Sequence, residues 1–385
     1  MSNRSGIAPF YGMQMSALAA EVESAMAPGE HVLHLEVGQP SGGAASGARK
    51  AAADTLLENS LGYTPSLGLP ALRDRIAQHY ADWYGVRVTR DQVLVTAGAS
   101  AGFVLAFLSC FDVGDKVAVT EPGYPCYRNT LEALGCQPIG IPLGPETDNQ
   151  LTVAAIQAII DQHGRLDGLV IASPSNPTGT ILWDEDLAAI TTLCAQNNIT
   201  LIADEIYHGI TYGKPAPTIL KHTDDVIVLN SFSKYFGMTG WRLGWIVAPP
   251  SLLPAIERLQ QNLYICAPHV SQIAGIASFD CHEELQGHVD DFAAKRAILL
   301  SGLDACGLTY APADGAFYAY VDVSHLTTSS WDLCEQWLDE LSIAATPGID
   351  FDPVRGNQFV RFSCAGSADD VAEAMRRLET WIAKR

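Results

Sequence analysis

Ser231-Phe232-Ser233-Lys234-Tyr235-Phe236-Gly237-Met238-Thr239-Gly240-Trp241-Arg242 lies between two apolar runs, 226–229 and 243–247, each short enough to be a buried strand. Its lysine is flanked by hydroxyls, and an arginine closes the stretch. A lysine held beside an arginine loses its proton more readily and can attack an aldehyde, while hydroxyls and a guanidinium fork hold phosphate oxygens. The combination suits a Schiff base to a phosphorylated carbonyl compound. A bare Ser-x-Ser-Lys equally fits a surface lysine in a glycine-rich loop, so the weight rests on the full stretch and its surroundings.

Apolar runs of the same kind recur at 93–96, 116–120, 168–172 and 200–203, alternating with helical patterns from about Leu69 to Pro249. Runs apolar on both faces belong to parallel strands with helices on either side. Helices are expected over 71–84, 184–195 and 284–303. The last helix is the clearest: Ser367 caps it, Asp370 follows three residues on, and Val371, Ala374, Leu378 and Ile382 form one apolar stripe. Beyond about residue 285, two long helices flank 315–323 and 359–363, which predicts a smaller α+β unit joined by residues near the N-terminus. The chain thus divides into a large α/β unit, 46–284, and a small unit built from 1–45 and 285–385.

With 385 residues the chain is long enough for more than one core, and 48% hydrophobic content is ample for burial. A net charge of -20 argues against a nucleic-acid partner, whose phosphates need clustered Lys and Arg. An anionic ligand must therefore meet a local positive pocket. The nine cysteines show neither a Cys-x-x-Cys pair nor zinc-ligand spacing and read as reduced packing residues. No signal segment opens the chain, and no stretch reaches the roughly 18 apolar residues of a membrane helix. The expectation is a cytoplasmic protein without a membrane partner, which leaves the glycosylation patterns at Asn3 and Asn198 without meaning.

Further groups stand where apolar runs end. Asp204-Glu205-Ile206-Tyr207 follows 201–203, and ligands of open α/β sheets sit beyond the carboxyl ends of strands. Asp204 alone equally fits a helix cap. Ser173-Pro174-Ser175-Asn176-Pro177-Thr178-Gly179 follows another run, its prolines stiffening the turn around Asn176. Gly98-Ala99-Ser100-Ala101 leads from a strand into a helical pattern, where free N–H groups favour a phosphate. Arg361 interrupts the apolar run 359–363. A buried arginine needs a partner, and its fork suits either a ligand's carboxylate or a protein carboxylate in a structural salt bridge.

Taken together, these stretches closely resemble the signatures of class I and II pyridoxal-phosphate aminotransferases, in the same order and from Val37 to Ser363. The resemblance implies the aspartate-aminotransferase fold, fold type I: a large domain with a mostly parallel seven-stranded sheet between helices, plus a smaller α+β domain from the N- and C-terminal segments. It makes Lys234 the cofactor's attachment point and sets Asp204 against the pyridine nitrogen. Tyr207 and Asn176 are assigned to O3', and Ala99, Ser100, Ser231, Ser233 and Arg242 to the phosphate. Tyr124 stacks on the ring, and Arg361 with Gly38 and Asn176 takes the substrate carboxylate. Tyr63 matches a tyrosine that reaches the phosphate of a neighbouring subunit, which implies a homodimer; alternatively it only introduces the next helix. One bacterial aspartate-specific subgroup carries a lysine at the position of Ser100 to receive the distal carboxylate, so a dicarboxylate preference loses support here unless another arginine substitutes. The implied reaction is a ping-pong transfer of an amino group from an L-amino acid to a 2-oxo acid. A C–S lyase or other β-eliminating enzyme uses the same cofactor chemistry, and a non-catalytic binding protein on this fold is the remaining alternative.

Overall fold

The computed structural model describes residues 3–385. In chain order the strands are β1 (Leu33–His34), β2 (Val93–Thr96), β3 (Lys116–Glu121), β4 (Gln137–Pro142), β5 (Gly168–Ala172) and β6 (Thr200–Asp204). They continue with β7 (Ile227–Ser231), β8 (Gly244–Val247), β9 (Tyr318–Asp322), β10 (Ile343–Ala344), β11 (Thr346–Pro347) and β12 (Phe359–Ser363). Seven form one sheet in the order β2-β8-β7-β6-β5-β3-β4. Neighbours from β7 through β4 are parallel, whereas β8 is antiparallel to both β7 and β2. The six runs expected from sequence are all strands of this sheet, with ends shifted by a residue or two. The seventh strand that the resemblance implies is β4, which no apolar run marks. It is a half-exposed edge strand carrying Gln137, two prolines and Gly140, and so lacks the apolar signal of the others.

This topology gathers the site at one edge. β2, β3, β5, β6 and β7 run in one direction, so the turns after them, at Gly98, Tyr124, Asn176, Asp204 and Lys234, emerge on the same side. β8 runs the other way, which brings Arg242, just before it, to that side too. A parallel return after β7 would need a crossover of a dozen or more residues, usually built around a helix. Residues 232–243 instead form an irregular turn and hand the chain to an antiparallel strand.

The apolar half of that turn anchors it. Phe232, Phe236, Trp245 and Phe279 pack with ring centroids 4.8 Å (Phe232–Phe236), 5.0 Å (Phe232–Trp245) and 5.0 Å (Phe236–Phe279) apart. All four are buried, and burial of each such side chain contributes on the order of 1.5–3 kcal/mol. Tyr235 donates to or accepts from Nδ1 of His282 at 2.7 Å. With its neighbours fixed on both sides, Lys234 has little freedom to leave the sheet edge.

Expected helices appear as Pro70–Tyr84, Asp184–Asn197, His282–Ala305 and Ala368–Ile382, the last with Ser367 accepting the N–H of Asp370 at 3.1 Å. Beyond the large sheet, β11, β12 and β9 form an antiparallel sheet. β1 pairs in parallel with β10, tying the start of the chain to its later part. The helix Tyr11–Ser24 is seated by Asp350, whose carboxylate accepts the N–H groups of Tyr11 and Gly12, each at 3.0 Å. An anion at the start of a helix meets unpaired N–H groups and the positive end of the helix dipole.

Candidate active site

A cavity of about 260 Å³ opens at the sheet edge, between the strand ends and the segments 10–16 and 36–39. Seven residues singled out from sequence line it: Gly38, Tyr124, Asn176, Asp204, Tyr207, Lys234 and Arg361. Its charged residues are Lys234, Arg361, Asp204 and Glu36.

Lys234 extends its amine to the carbonyl of Gly38, to which it donates at 2.6 Å. Burial pushes this amine down to about 8, helped by the charges of Arg361 and Arg242 and opposed by Asp204. About a tenth is thus free base at pH 7, far more than for an exposed lysine, as a nucleophilic amine requires. The rings of Tyr207 and Phe317 stand 5.7 and 5.9 Å from the nitrogen. Gly38 is required by closeness: a Cβ there would lie 1.9 Å from the hydroxyl oxygen of Tyr318.

Asp204 ends β6 almost wholly enclosed. One carboxylate oxygen accepts the N–H of Ile206 at 3.0 Å and the other accepts the hydroxyl of Tyr127 in a very short hydrogen bond. Burial pushes the carboxyl up to about 6, even though the Tyr127 hydroxyl, the Ile206 N–H and Lys234 all favour its charged form. Such an acid is poised to accept a cationic N–H donor. Tyr207 shares a hydrogen bond of 2.8 Å with Tyr318, and burial holds its phenol well above the usual range. Tyr124 packs edge-on against Phe10 and Tyr127, with centroids 6.0 and 5.4 Å apart.

Arg361 is buried with its fork directed by neutral groups. Nη1 donates to Oδ1 of Asn176 at 2.9 Å, and Nη2 to the carbonyl of Glu36 at 2.6 Å and the hydroxyl of Thr346 at 3.1 Å. Nε has no partner, and among the described residues no carboxylate forms an ion pair with this guanidinium. The ring of Tyr318 lies 4.2 Å from its central carbon. The structural salt bridge considered from sequence is therefore absent among the described residues. A buried cation left without an anion is an incomplete site.

The groups expected to hold a phosphate lie beside the cavity rather than in its wall. Gly98 opens the helix Ala99–Cys110 at φ +84, with no side chain capping the N–H groups that follow. The Arg242 guanidinium packs so closely there that a Cβ on Gly98 would sit 2.3 Å from Nη2. Arg242 also donates to the carbonyl of Thr239 at 2.9 Å, and Thr239 lines the cavity. The Ser231 hydroxyl donates to the Leu243 carbonyl at 3.3 Å and accepts the N–H of Ser233 at 3.0 Å, which knits the turn. Ser233 is buried, Ala99 half-buried and Ser100 exposed. Tyr63 is 84% exposed and points to no group of this chain's cavity.

Two tyrosines escaped the sequence reading. Tyr127 stands one helical turn after Tyr124, a spacing that puts both on one face, and this was the available signal. Tyr318 reaches the site from β9 and carried no local signal.

Pyridoxal phosphate fits these residues. Uncapped helix N–H groups and Arg242 suit its phosphate, the depressed Lys234 amine its aldehyde, and the enclosed Asp204 its ring nitrogen. The family described as aminotransferase class I and II matches residues 30–378.

The chain belongs to the class I and II aminotransferases.

Its relatives agree. It is 47% identical over 384 residues to a valine–pyruvate aminotransferase of Mycobacterium tuberculosis, covering 98% of this chain and 97% of that protein. A crystal structure of an aminotransferase from the same organism superposes with a TM-score of 0.96 at 45% identity, covering 100% of this chain and 99% of the other. Aspartate aminotransferase from Thermus thermophilus, solved with maleate, matches with a TM-score of 0.92 at 25% identity over 99% of each chain. This aminotransferase therefore depends on pyridoxal phosphate and works on an amino acid and a 2-oxo acid. Among its described residues no helix is long and apolar enough to cross a membrane.

Proposed function

We propose that this aminotransferase exchanges the amino group between a neutral L-amino acid and a monocarboxylic 2-oxo acid, with valine and pyruvate, named for the relative from Mycobacterium tuberculosis, as the first pair to try. The carrying observation is the Arg361 fork: a buried cation beside Lys234 that no carboxylate of the described residues ion-pairs, in a cavity that the described residues line with no third cation. One carboxylate is provided for, and the described residues of the lining offer no cation to a second.

Pyridoxal phosphate, when bound, supplies an aldehyde for an amine and an electron-withdrawing ring that stabilises negative charge at the substrate's α-carbon. The roles below belong to this chain's own groups. Arg361, held by Asn176, Thr346 and the Glu36 carbonyl, grips the α-carboxylate bidentately and fixes the orientation of the α-carbon. The Lys234 amine would take the α-proton on its nitrogen and give it up again; its lowered proton affinity suits both halves of that transfer. Asp204, anchored by Tyr127 and the Ile206 N–H, would hold a proton at the cofactor's ring nitrogen. Tyr207 and Asn176 would hold its ring oxygen, Tyr124 would pack against the ring, and Gly38 would close over the substrate carboxylate. The Ala99 and Ser100 amides with Arg242 would hold the phosphate, with Ser231 and Ser233 in the turn beside them.

We further propose a homodimer in which the exposed Tyr63 reaches the partner's phosphate, and a cytoplasmic location. The division into 46–284 against 1–45 with 285–385 belongs to the same proposal, supported by the pairing of β1 with β10.

Single-turnover spectra of the loaded enzyme against a panel of amino acids test the substrate reading. Valine or alanine is expected to discharge the yellow absorbance with release of a 2-oxo acid and no ammonia. Discharge by aspartate and glutamate alone refutes it. In parallel, Lys234→Ala is expected to abolish turnover and borohydride labelling, and wild-type turnover in that variant ends the assignment.

A further inference from the structure

We propose that Glu36 is a specificity-determining residue that sets the amino-acid pocket against a side chain bearing a second carboxylate. The inference rests on reading the cavity as the amino-acid site. Glu36 lies between β1 and Gly38, and its main-chain carbonyl is one of the acceptors that aim the Arg361 fork. The carboxylate is thus tethered to the peptide that orients the α-carboxylate site. Both Glu36 and Ser16 line the cavity.

The Glu36 side chain is only 1% exposed. Its Oε1 accepts the Ser16 hydroxyl at 3.2 Å and meets Nδ1 of His34 at 2.9 Å. Oε2 has no partner. A buried carboxylate oxygen without a donor is unfavourable, and a substrate side chain that is apolar or brings a donor leaves that state unchanged or improves it. A side chain that brings another carboxylate adds like-charge repulsion in surroundings that screen poorly.

The other charged groups do not reverse this. His34 faces Oε1 but is shared with Glu23, 3.7 Å from its second nitrogen, so two carboxylates stand against one imidazole. From the helix Tyr11–Ser24 the facing group is the neutral Ser16. From β12 it is Arg361, whose fork the α-carboxylate occupies.

The test compares loaded wild-type enzyme with Glu36→Gln in the half-reaction with alanine, valine, aspartate and glutamate. The ratio of kcat/KM for aspartate to that for alanine is expected to rise about tenfold or more in the variant. An unchanged ratio overturns the role of Glu36 and leaves the neutral-substrate reading standing, whereas failure of both alanine and valine to react with the wild type overturns that reading and this inference with it. Should the variant not fold, spectral titration of the wild type with butyrate and succinate, equal in carbon number, decides the matter. Butyrate is expected to bind about tenfold more tightly, and succinate binding equally well or better refutes the inference.

Discussion

Replacing Asp204 with asparagine is expected to stabilise the protein freed of its cofactor while destroying its activity. The carboxyl is raised from its ordinary 3.8 to about 6 because burial outweighs the donors around it. Below pH 3.8 it is protonated in both the folded and the unfolded chain and makes no difference. As pH climbs from there through about 6, the unfolded chain releases a proton that the folded protein still holds, so stability falls and stays lower above. The gap between 3.8 and about 6, at about 1.4 kcal/mol for each tenfold change in proton affinity, amounts to roughly 3 kcal/mol. Asparagine fits the same place, accepting the Ile206 N–H through its oxygen and donating through its amide to Tyr127, and removes the charge. For 385 residues, an unfolding entropy of about 2.1 cal/mol/K per residue turns 3 kcal/mol into a rise of about 4 °C in melting temperature at pH 8. Differential scanning calorimetry of the two cofactor-free proteins at pH 4 and pH 8 measures it. The gain should shrink towards zero at pH 4, and with cofactor added the wild type should recover its lead. A variant that melts at or below the wild type at pH 8 without cofactor refutes the electrostatic reasoning.

Three further outcomes follow from the geometry. In cofactor-free protein, reductive labelling of Lys234 by an aldehyde should rise with pH around a midpoint near 8, which peptide mapping across a pH series resolves from exposed lysines that respond near 10.5. Arg361→Lys keeps the charge but loses the fork that Asn176, Thr346 and Glu36 direct, so KM for the amino acid should rise by about ten- to a hundredfold; steady-state kinetics showing an unchanged KM would count against the carboxylate assignment. Tyr63→Ala should weaken cofactor retention, measured by equilibrium dialysis, and mixed dimers with a Lys234→Ala subunit should regain sites if the tyrosine serves across the interface.

The fold was legible where burial dictates composition. β2, β3, β5, β6, β7 and β8 are largely apolar because helices cover both faces, and each of the first five ends at a turn residue that matters, whereas β8 starts from one, Arg242. β4 was illegible because an edge strand, half in solvent, tolerates Gln137, Pro138 and Gly140. At the site, residues carried on strand ends could be found one turn at a time. What remained hidden were partnerships: Tyr127 with Asp204, Tyr318 with Tyr207 and Gly38, and Thr346 with Arg361 join residues that only the folded chain makes neighbours. Ser231 shows the converse, since a hydroxyl in a telling position is spent on its own backbone.

Because the working groups leave the large sheet at one rim, the turns entering β3, β5, β6 and β7 at the other rim are released from chemistry. Gly114, Arg165, Asn198 and Asp225 stand exposed in them, remote from the cavity lining. Reporter dyes, affinity peptides or surface anchors introduced there have a natural landing zone, and sequence drift among descendants of this chain should concentrate in the same places.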